Sequence, residues 1–211
     1  MPSSRRELLT GVASASGLVL AAGTLAQARS RTPSAAPSVI EVRAAPNSIS
    51  GTLRFAGNSY PCMVGKSGIR HPKYEGDGGT PAGLFPLRSV RYRADRMSAP
   101  KTGLPVYKAA QNDGWCDDPS DLAYNHVVTM PYQTDAEPMW RDDHLYDVLA
   151  VIGYNDNPVV PGAGSAIFLH VMRPPTDDHQ YTAGCVSLAI ENLLAVLAAC
   201  VPGTMIDIRQ A

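Results

Sequence analysis

Glycine and proline residues separate most of this chain into short apolar runs, and this spacing restricts the possible folds more than any other feature. The 211 residues include 18 glycines and 18 prolines, which favour strands and turns over helix bundles. Short runs bounded by turn residues are typical of strands in a β-rich domain. They are VIEVRA from residue 39, GTLRFAG from 51, SYPCMVG from 59, GLFPLRSVRYR from 83, HVVTMPY from 126, LYDVLAVIGYN from 145 and SAIFLHV from 165. The pattern therefore predicts a mostly β domain.

One segment, SLAIENLLAVLAACV at residues 187–201, has a convincing helical period. Its apolar face at the 3.6-residue period is formed by Ile190, Leu193, Leu194, Leu197 and Val201. Ser187 is the predicted N-cap, and TMIDIR after the helix is a predicted last strand. Cys185 would then lie just before a helix N-terminus, where the helix dipole and free N–H groups favour a thiolate.

Charge and motif content exclude several classes of function. The formal net charge is −1, and no basic patch suggests nucleic-acid binding. GKS at 65–67 resembles the end of a phosphate loop, but Tyr60 stands where that loop needs glycine, so nucleotide binding is rejected. No C-x-x-C occurs, which weakens a zinc knuckle and a thioredoxin-type site. Acidic loop residues such as Asp142 and Asp143, beside His144, are usually just solvated, and we predict no metal site.

The first 28 residues are predicted to be a signal peptide. Arg5 and Arg6 precede a weakly hydrophobic run that ends in the small-x-small pattern Ala26-Gln27-Ala28, as at a cleavage site. The paired arginines indicate export to the periplasm by the twin-arginine route. The run is interrupted too often for a convincing spanning helix, so no stable membrane span is expected after cleavage. Residues 29–38, RSRTPSAAPS, predict a linker.

Cys185, in the segment TAGCVSL, is the candidate nucleophile. A thiol nucleophile needs a base within hydrogen-bond reach and donors for the oxyanion. His170 lies near the end of the predicted strand SAIFLHV and is the candidate base, whereas His179, in a polar loop, ranks second. The backbone N–H groups of Ala183, Gly184 and Cys185 are the candidate oxyanion donors, and Gly184 admits close approach of a substrate.

Structural roles for the same two residues stay open at this point. A lone histidine on a strand is more often a satisfied core residue, and a lone cysteine is usually packed or disulfide-bonded. The chain has four cysteines, which can pair in three ways. If Cys185 is free, at most one disulfide can form among Cys62, Cys116 and Cys200.

Two segments resemble a known family. HVMRPPTDDHQYTAGCVSL, at 170–188, resembles the signature of the L,D-transpeptidase catalytic domain, the YkuD-type family: a strand-borne histidine, a loop, then Ser/Thr-His-Gly-Cys. Upstream, KYEGDGGTPAGLFPL resembles the family's Thr-Pro-x-Gly-x-Phe segment through Thr80, Pro81, Gly83 and Phe85. The similarity covers 39–211. It implies a mostly β, L,D-transpeptidase-like β-sandwich with one C-terminal helix following the cysteine.

The resemblance also implies a chemistry and a substrate class. Cys185 would attack an amide carbonyl in a peptidoglycan stem peptide, and an amine of a second stem would resolve the resulting thioester into a cross-link. His170 would be the base, oriented by a backbone carbonyl at Val171, and Thr182 matches the signature's hydroxyl residue. No metal or organic cofactor and no nucleic acid is implied. We expect a monomer.

The segment departs from the family signature in three places. Ala183 stands where the signature has its second histidine, and the eleven residues between His170 and Thr182 make a shorter loop than the family usually has. The polar residue that commonly follows the cysteine is also absent. These departures leave open whether the cross-link between stem peptides is of the 3,3 or the 1,3 type. An L,D-carboxypeptidase or endopeptidase, and a non-catalytic envelope binding module with structural cysteines, remain alternatives.

Further residues are candidates for substrate contact. Trp115 could pack against sugar or peptide, Tyr154 and Asn155 could reach the same cleft from the end of an apolar strand, and Arg173 could meet a stem carboxylate. Thr182 joins them through the resemblance. Structural alternatives are a partly buried tryptophan, a strand-ending turn and an exposed loop arginine.

Overall fold

The computed structural model describes residues 38–211. The predicted signal peptide and nearly all of the predicted linker lie outside these residues. The strands and the helix are, in chain order, β1 Val39–Ala44, β2 Ser50–Phe55, β3 Asn58–Met63, β4 Ile69–Arg70, β5 Thr80–Pro81, β6 Gly83–Tyr92, β7 Val106–Lys108, β8 Asp113–Cys116, β9 Val127–Thr129, β10 Ala136–Pro138, β11 Val148–Ile152, β12 Phe168–Val171, β13 Val186–Leu188, α1 Ile190–Ala199 and β14 Met205–Gln210. Each of the seven predicted runs overlaps one of these strands. The predicted class, mostly β with one C-terminal helix after Cys185, is confirmed.

The main sheet closes on itself because β6 changes partner along its length. The strand order is β11-β12-β13-β3-β2-β1-β14-β6-β7, with an additional pairing of β6 to β11. Residues 83–86 of β6 pair with β14, and residues 87–92 pair with β11. Eight strands therefore form a ring around the main core, with β7 at its edge.

Side-chain alternation divides the strands between two cores. On β11, Val148, Ala150 and Ile152 belong to the main core, whereas Leu149 and Val151 belong to a second, smaller one, as the period of two requires. The helix closes the main core with buried leucine and valine side chains. Each such fully buried side chain stabilises the fold by about 1.5–3 kcal/mol.

The second core lies under a cap formed by residues 113–147. The cap carries the small antiparallel sheet β10-β8-β9 and covers the outer face of β11 and β12. Its apolar side chains Trp115, Met139 and Tyr146 pack in one cluster with Phe168 and Cys185. The predicted nucleophile is therefore part of the interface between the cap and the main sheet.

The predicted helix start at Ser187 is wrong. Ser187 lies in β13, which pairs in parallel with β12 and fills the gap between β12 and β3. Helix α1 begins at Ile190, and its N-cap position, Ala189, makes no side-chain capping bond. A strand thus separates Cys185 from the helix N-terminus. Because the dipole effect falls off within the first turn, it does not activate this thiol.

No helix among residues 38–211 is long and apolar enough to cross a membrane.

Candidate active site

A cleft of about 500 Å³ opens between the cap and the outer face of the main sheet. It brings together several of the residues that the sequence singled out. Those lining it are Cys185, His170, Arg173, His179, Thr182, Ala183 and Gly184. Both halves of the predicted nucleophile–base pair therefore open on the same cavity.

Strand register explains why Cys185 and His170 open on the same cleft. His170 on β12 pairs with Ser187 on β13, and Cys185 precedes Ser187 by two residues, so side-chain alternation puts both functional groups on the outer face. Two neighbouring strands thus position Cys185 and His170, although a long loop separates the two residues in the chain.

The Cys185 thiol is buried and protonated in the resting site. Its Sγ donates to the carbonyl of Ala166 at 3.2 Å and accepts the N–H of Phe168 at 3.3 Å. Burial, followed by the negative charge of Glu137, raises the pKa of Cys185 to about 12, although the Phe168 N–H acts in the opposite direction. The expectation of a ready-made thiolate is therefore wrong. Removal of water by the cap outweighs the local features that favoured the anion.

His170 is held as a neutral imidazole with a defined tautomer. Its Nδ1 lies 2.7 Å from the carbonyl oxygen of Val171. A carbonyl only accepts hydrogen bonds, so Nδ1 carries the proton and Nε2 keeps its lone pair. Burial lowers the pKa of His170 to about 4; the Val171 contact opposes this shift, and the charge of Arg141 adds to it. The carbonyl contact that the resemblance implied for Val171 is present.

Two threonine hydroxyls hold the turn that carries Cys185. Thr182 Oγ1 donates to the Cys185 carbonyl at 2.6 Å and accepts the Gly184 N–H at 3.2 Å. Thr80 Oγ1 donates to the same carbonyl at 3.2 Å and accepts the N–H of Gly65 at 2.8 Å. The two segments that resemble the family thus meet at the cysteine. The Thr182 hydroxyl, predicted to touch substrate, is committed inside the protein.

These bonds reduce the set of oxyanion donors. The Gly184 N–H is occupied by Thr182, whereas the Ala183 and Cys185 N–H groups have no acceptor within residues 38–211. Gly184 has a φ of +151°, and a Cβ on it would lie 2.9 Å from the carbonyl oxygen of Gly79. Glycine is therefore required there by the close approach of two backbones.

Trp115, Tyr154 and Asn155 lie outside this cleft, contrary to the predicted substrate contacts. The Trp115 indole N–H donates to Asn125 Oδ1 at 2.9 Å, and its ring packs edge-on against Phe168. The Tyr154 hydroxyl donates to a loop carbonyl at 2.5 Å, and the Asn155 amide donates to two more. Their polar groups are satisfied within the fold, so these contacts are structural. Trp115 and Tyr154 line a separate cavity of about 420 Å³.

Arg173 and His179 lie at the edge of the cleft. The Arg173 guanidinium donates to Asp177 at 3.0 Å. The His179 side chain is largely exposed and packs edge-on against Tyr181. His170, rather than the second-ranked His179, therefore occupies the rigid buried position beside the cysteine.

The cap adds functional groups that sequence reasoning missed. The Tyr146 ring meets the His170 imidazole edge-on, with centroids 5.3 Å apart, and its hydroxyl donates to Glu137 at 2.7 Å. Arg141 lies over the Tyr146 ring and pairs with Asp143. These residues stand 24 or more positions before His170 in the chain and match no motif, so only the tertiary contacts reveal them.

All four cysteines are free and buried. Cys62 and Cys200 belong to the main core, and Cys116 lies in the cap. Cys185 is therefore not half of a disulfide, as a catalytic role for this thiol requires.

We expect alkylation of Cys185 by iodoacetamide at pH 7 to be at least about 100-fold slower than that of a free cysteine, because so little of a thiol with this raised pKa is ionised. Intact-mass and peptide-mass spectrometry measure the rate. It should rise steadily with pH, and in denaturant all four cysteines should label. Labelling of the folded protein as fast as free cysteine would contradict a neutral resting thiol.

The model of the YkuD family, the L,D-transpeptidase catalytic domain, matches residues 53–208. Among solved structures, the chain is similar to the crystal structure of L,D-transpeptidase 1 from Mycobacterium tuberculosis, at 12% identity and a TM-score of 0.34, over 82% of this chain and 63% of that one. The match thus spans less than two thirds of that neighbour's length. No curated protein matches the chain. Because the family model covers well over half of its residues, the protein belongs to the L,D-transpeptidase catalytic-domain family.

Proposed function

We propose that this protein is a peptidoglycan L,D-transpeptidase that cross-links stem peptides through a thioester on Cys185. The observation that carries the proposal is the pairing of a free thiol and a neutral imidazole on one cleft, in a chain of a cysteine acyltransferase family. A carbonyl-oriented histidine beside a thiol is the arrangement that general-base activation of a nucleophile needs.

Acylation begins from the neutral pair. As Sγ of Cys185 attacks the amide carbonyl of the donor stem, Nε2 of His170 takes the thiol proton, so no free thiolate accumulates. The Ala183 and Cys185 N–H groups stabilise the oxyanion. The C–N bond then breaks, the leaving amine takes the proton from His170, and a thioester remains on Cys185.

The second half-reaction transfers the acyl group. The amine of an acceptor stem attacks the thioester carbonyl, an amide bond forms, the C–S bond breaks, and the sulfur regains a proton through His170. Water in place of the amine would give hydrolysis, which is the L,D-carboxypeptidase or endopeptidase alternative.

Cations at the cleft suit an acidic peptide substrate. Lys66 lines the cleft and makes no salt bridge within residues 38–211, and Arg173, on the loop after β12, lines it too. Stem peptides carry carboxylates, which both side chains can bind. Arg173 thus keeps the substrate role predicted for it, as part of this proposal.

The test is incubation of the enzyme with purified disaccharide-tetrapeptides and disaccharide-pentapeptides, followed by tandem mass spectrometry. We expect dimers, whose fragmentation distinguishes a 3,3 from a 1,3 linkage. Shortened monomers alone would assign the hydrolase. Unchanged substrates, with no acyl-enzyme by intact mass, would contradict the proposal.

We also propose that the enzyme acts in the periplasm as a monomer after twin-arginine export and cleavage following Ala28. The support is the paired arginines and the small-x-small pattern of residues 1–28. N-terminal sequencing of the periplasmic protein tests the cleavage site, and light scattering tests the monomer.

A further inference from the structure

The Glu137 carboxylate lies in the same cleft and is positioned by a β-strand of the cap. It lies in β10 of the cap, where it pairs with Trp115 on β8, and its side chain, 27% exposed, lines the same cleft as Cys185 and His170. The nucleophile and base stand on the sheet side, so Glu137 faces the cleft from an independent element.

Only one of its two oxygens is engaged. Glu137 Oε1 accepts the Tyr146 hydroxyl at 2.7 Å and a weak contact from Arg141 at 3.4 Å. Within residues 38–211, Oε2 makes no hydrogen bond. Arg141 is held mainly by Asp143, with contacts at 3.1, 3.2 and 2.5 Å. Neutralisation of Glu137 by a cation of the protein is therefore weak.

The surroundings of Glu137 favour a cationic ligand. Burial, together with the neighbouring charges of Asp117 and Asp143, raises the pKa of Glu137 against the opposing effects of Tyr146 and Arg141. A carboxylate in this condition accepts a proton more readily than an exposed one. It also influences the reaction centre, because its charge contributes to the raised pKa of the Cys185 thiol.

We propose that Glu137 is a further catalytic residue, whose free Oε2 binds the primary ammonium group of the acceptor and removes the proton that must leave before nitrogen attacks the thioester. The inference rests on the proposed acyl transfer. It assigns the acceptor class, a primary ammonium on a stem peptide, to the cap side of the cleft.

The proton balance gives such a group a defined task. The acceptor enters with three protons on nitrogen and ends as an amide N–H, so two protons leave. The first goes to the Glu137 carboxylate and frees the nitrogen lone pair, which forms the C–N bond while the C–S bond breaks. The second passes through His170 to the departing sulfur, which becomes a thiol again, and Glu137 releases its proton to water.

Water as the acceptor carries no ammonium, so Glu137 should affect transfer much more than hydrolysis. In the Glu137→Gln variant, we expect the ratio of dimer to hydrolysed product to fall about 100-fold or more, with a raised KM for the acceptor. The acyl-enzyme still forms and is detected by intact mass. Glu137→Asp retains the charge and should recover part of the ratio. Glu191→Gln, an exposed acid on the helix, is the matched control and should behave as wild type.

A neutral nucleophile provides the sharper control. Hydroxylamine is already uncharged at neutral pH, so its transfer from the acyl-enzyme should be nearly insensitive to Glu137→Gln, whereas transfer to the stem ammonium should drop. Equal loss with both nucleophiles, or an unchanged product ratio, would overturn the inference while leaving the proposed function intact. Absence of acyl-enzyme on the wild-type protein would end both. If Glu137→Gln does not fold, the same comparison on Glu137→Asp decides.

Discussion

Replacement of Cys185 by alanine is expected to abolish cross-linking and the acyl-enzyme, with a rate loss on the order of 10⁴-fold or more. Among the described residues that line the cleft, no other carries a thiol that could form the thioester. The variant should remain folded, because leaving the Ala166 carbonyl and the Phe168 N–H unpaired costs about 1–3 kcal/mol for each group, less than the stability of about 5–15 kcal/mol that is typical of a domain. Disaccharide-peptide turnover and intact mass measure the loss, and thermal unfolding checks the fold.

Cys62→Ala is the matched control for this experiment. Cys62 is a buried free thiol in the main core, away from the cleft, so its loss should lower stability and leave turnover in place. Retained acyl transfer in the Cys185→Ala protein would exclude Cys185 as the nucleophile.

Replacement of His170 by glutamine is expected to slow acylation about 10²–10⁴-fold, the usual contribution of a positioned general base. Glutamine preserves a polar side chain but cannot accept the thiol proton. The substitution should lower kcat more than it raises KM, because the imidazole accepts the thiol proton in the transition state and does not bind the substrate. Single-turnover acylation by a donor stem measures it.

The pH dependence of acylation follows from the same histidine. Its pKa is lowered to about 4, so the imidazole is the neutral base above that pH and is lost as the pH falls through it. The pKa of the thiol is raised to about 12, so kcat/KM should remain level from about pH 5 to pH 9. A bell-shaped profile with an alkaline fall near pH 8 would instead indicate a thiolate–imidazolium pair. The His170→Gln variant should lack the acid limb.

Much of the strand pattern could be predicted because alternation is local. VIEVRA forms β1 with the expected residues, since its buried and exposed positions follow the period of two. SAIFLHV contains β12, but the strand begins only at Phe168. Ala166 has a φ of +52°, and its N–H donates to Asn125 Oδ1, a contact that no local pattern encodes.

The short strand β13 shows where local reading fails. Its residues 186–188 continue the apolar spacing of the helix, and nothing in that spacing distinguishes a strand from a first helical turn. These three residues form a strand because they pair in parallel with β12. Backbone hydrogen bonds to a distant strand override a weak local preference.

For the site, sequence alone predicted the candidates Cys185 and His170, the turn at Gly184 and the class of fold, because residue type, periodicity and a family resemblance can all be read along the chain. Only the tertiary structure decided the protonation state of the pair and the presence of Tyr146 and Glu137 beside it. Burial beneath the cap keeps both groups neutral, because transfer of a charge out of water is costly. That burial arises where the cap packs over the sheet, so the sequence of either segment alone does not reveal it.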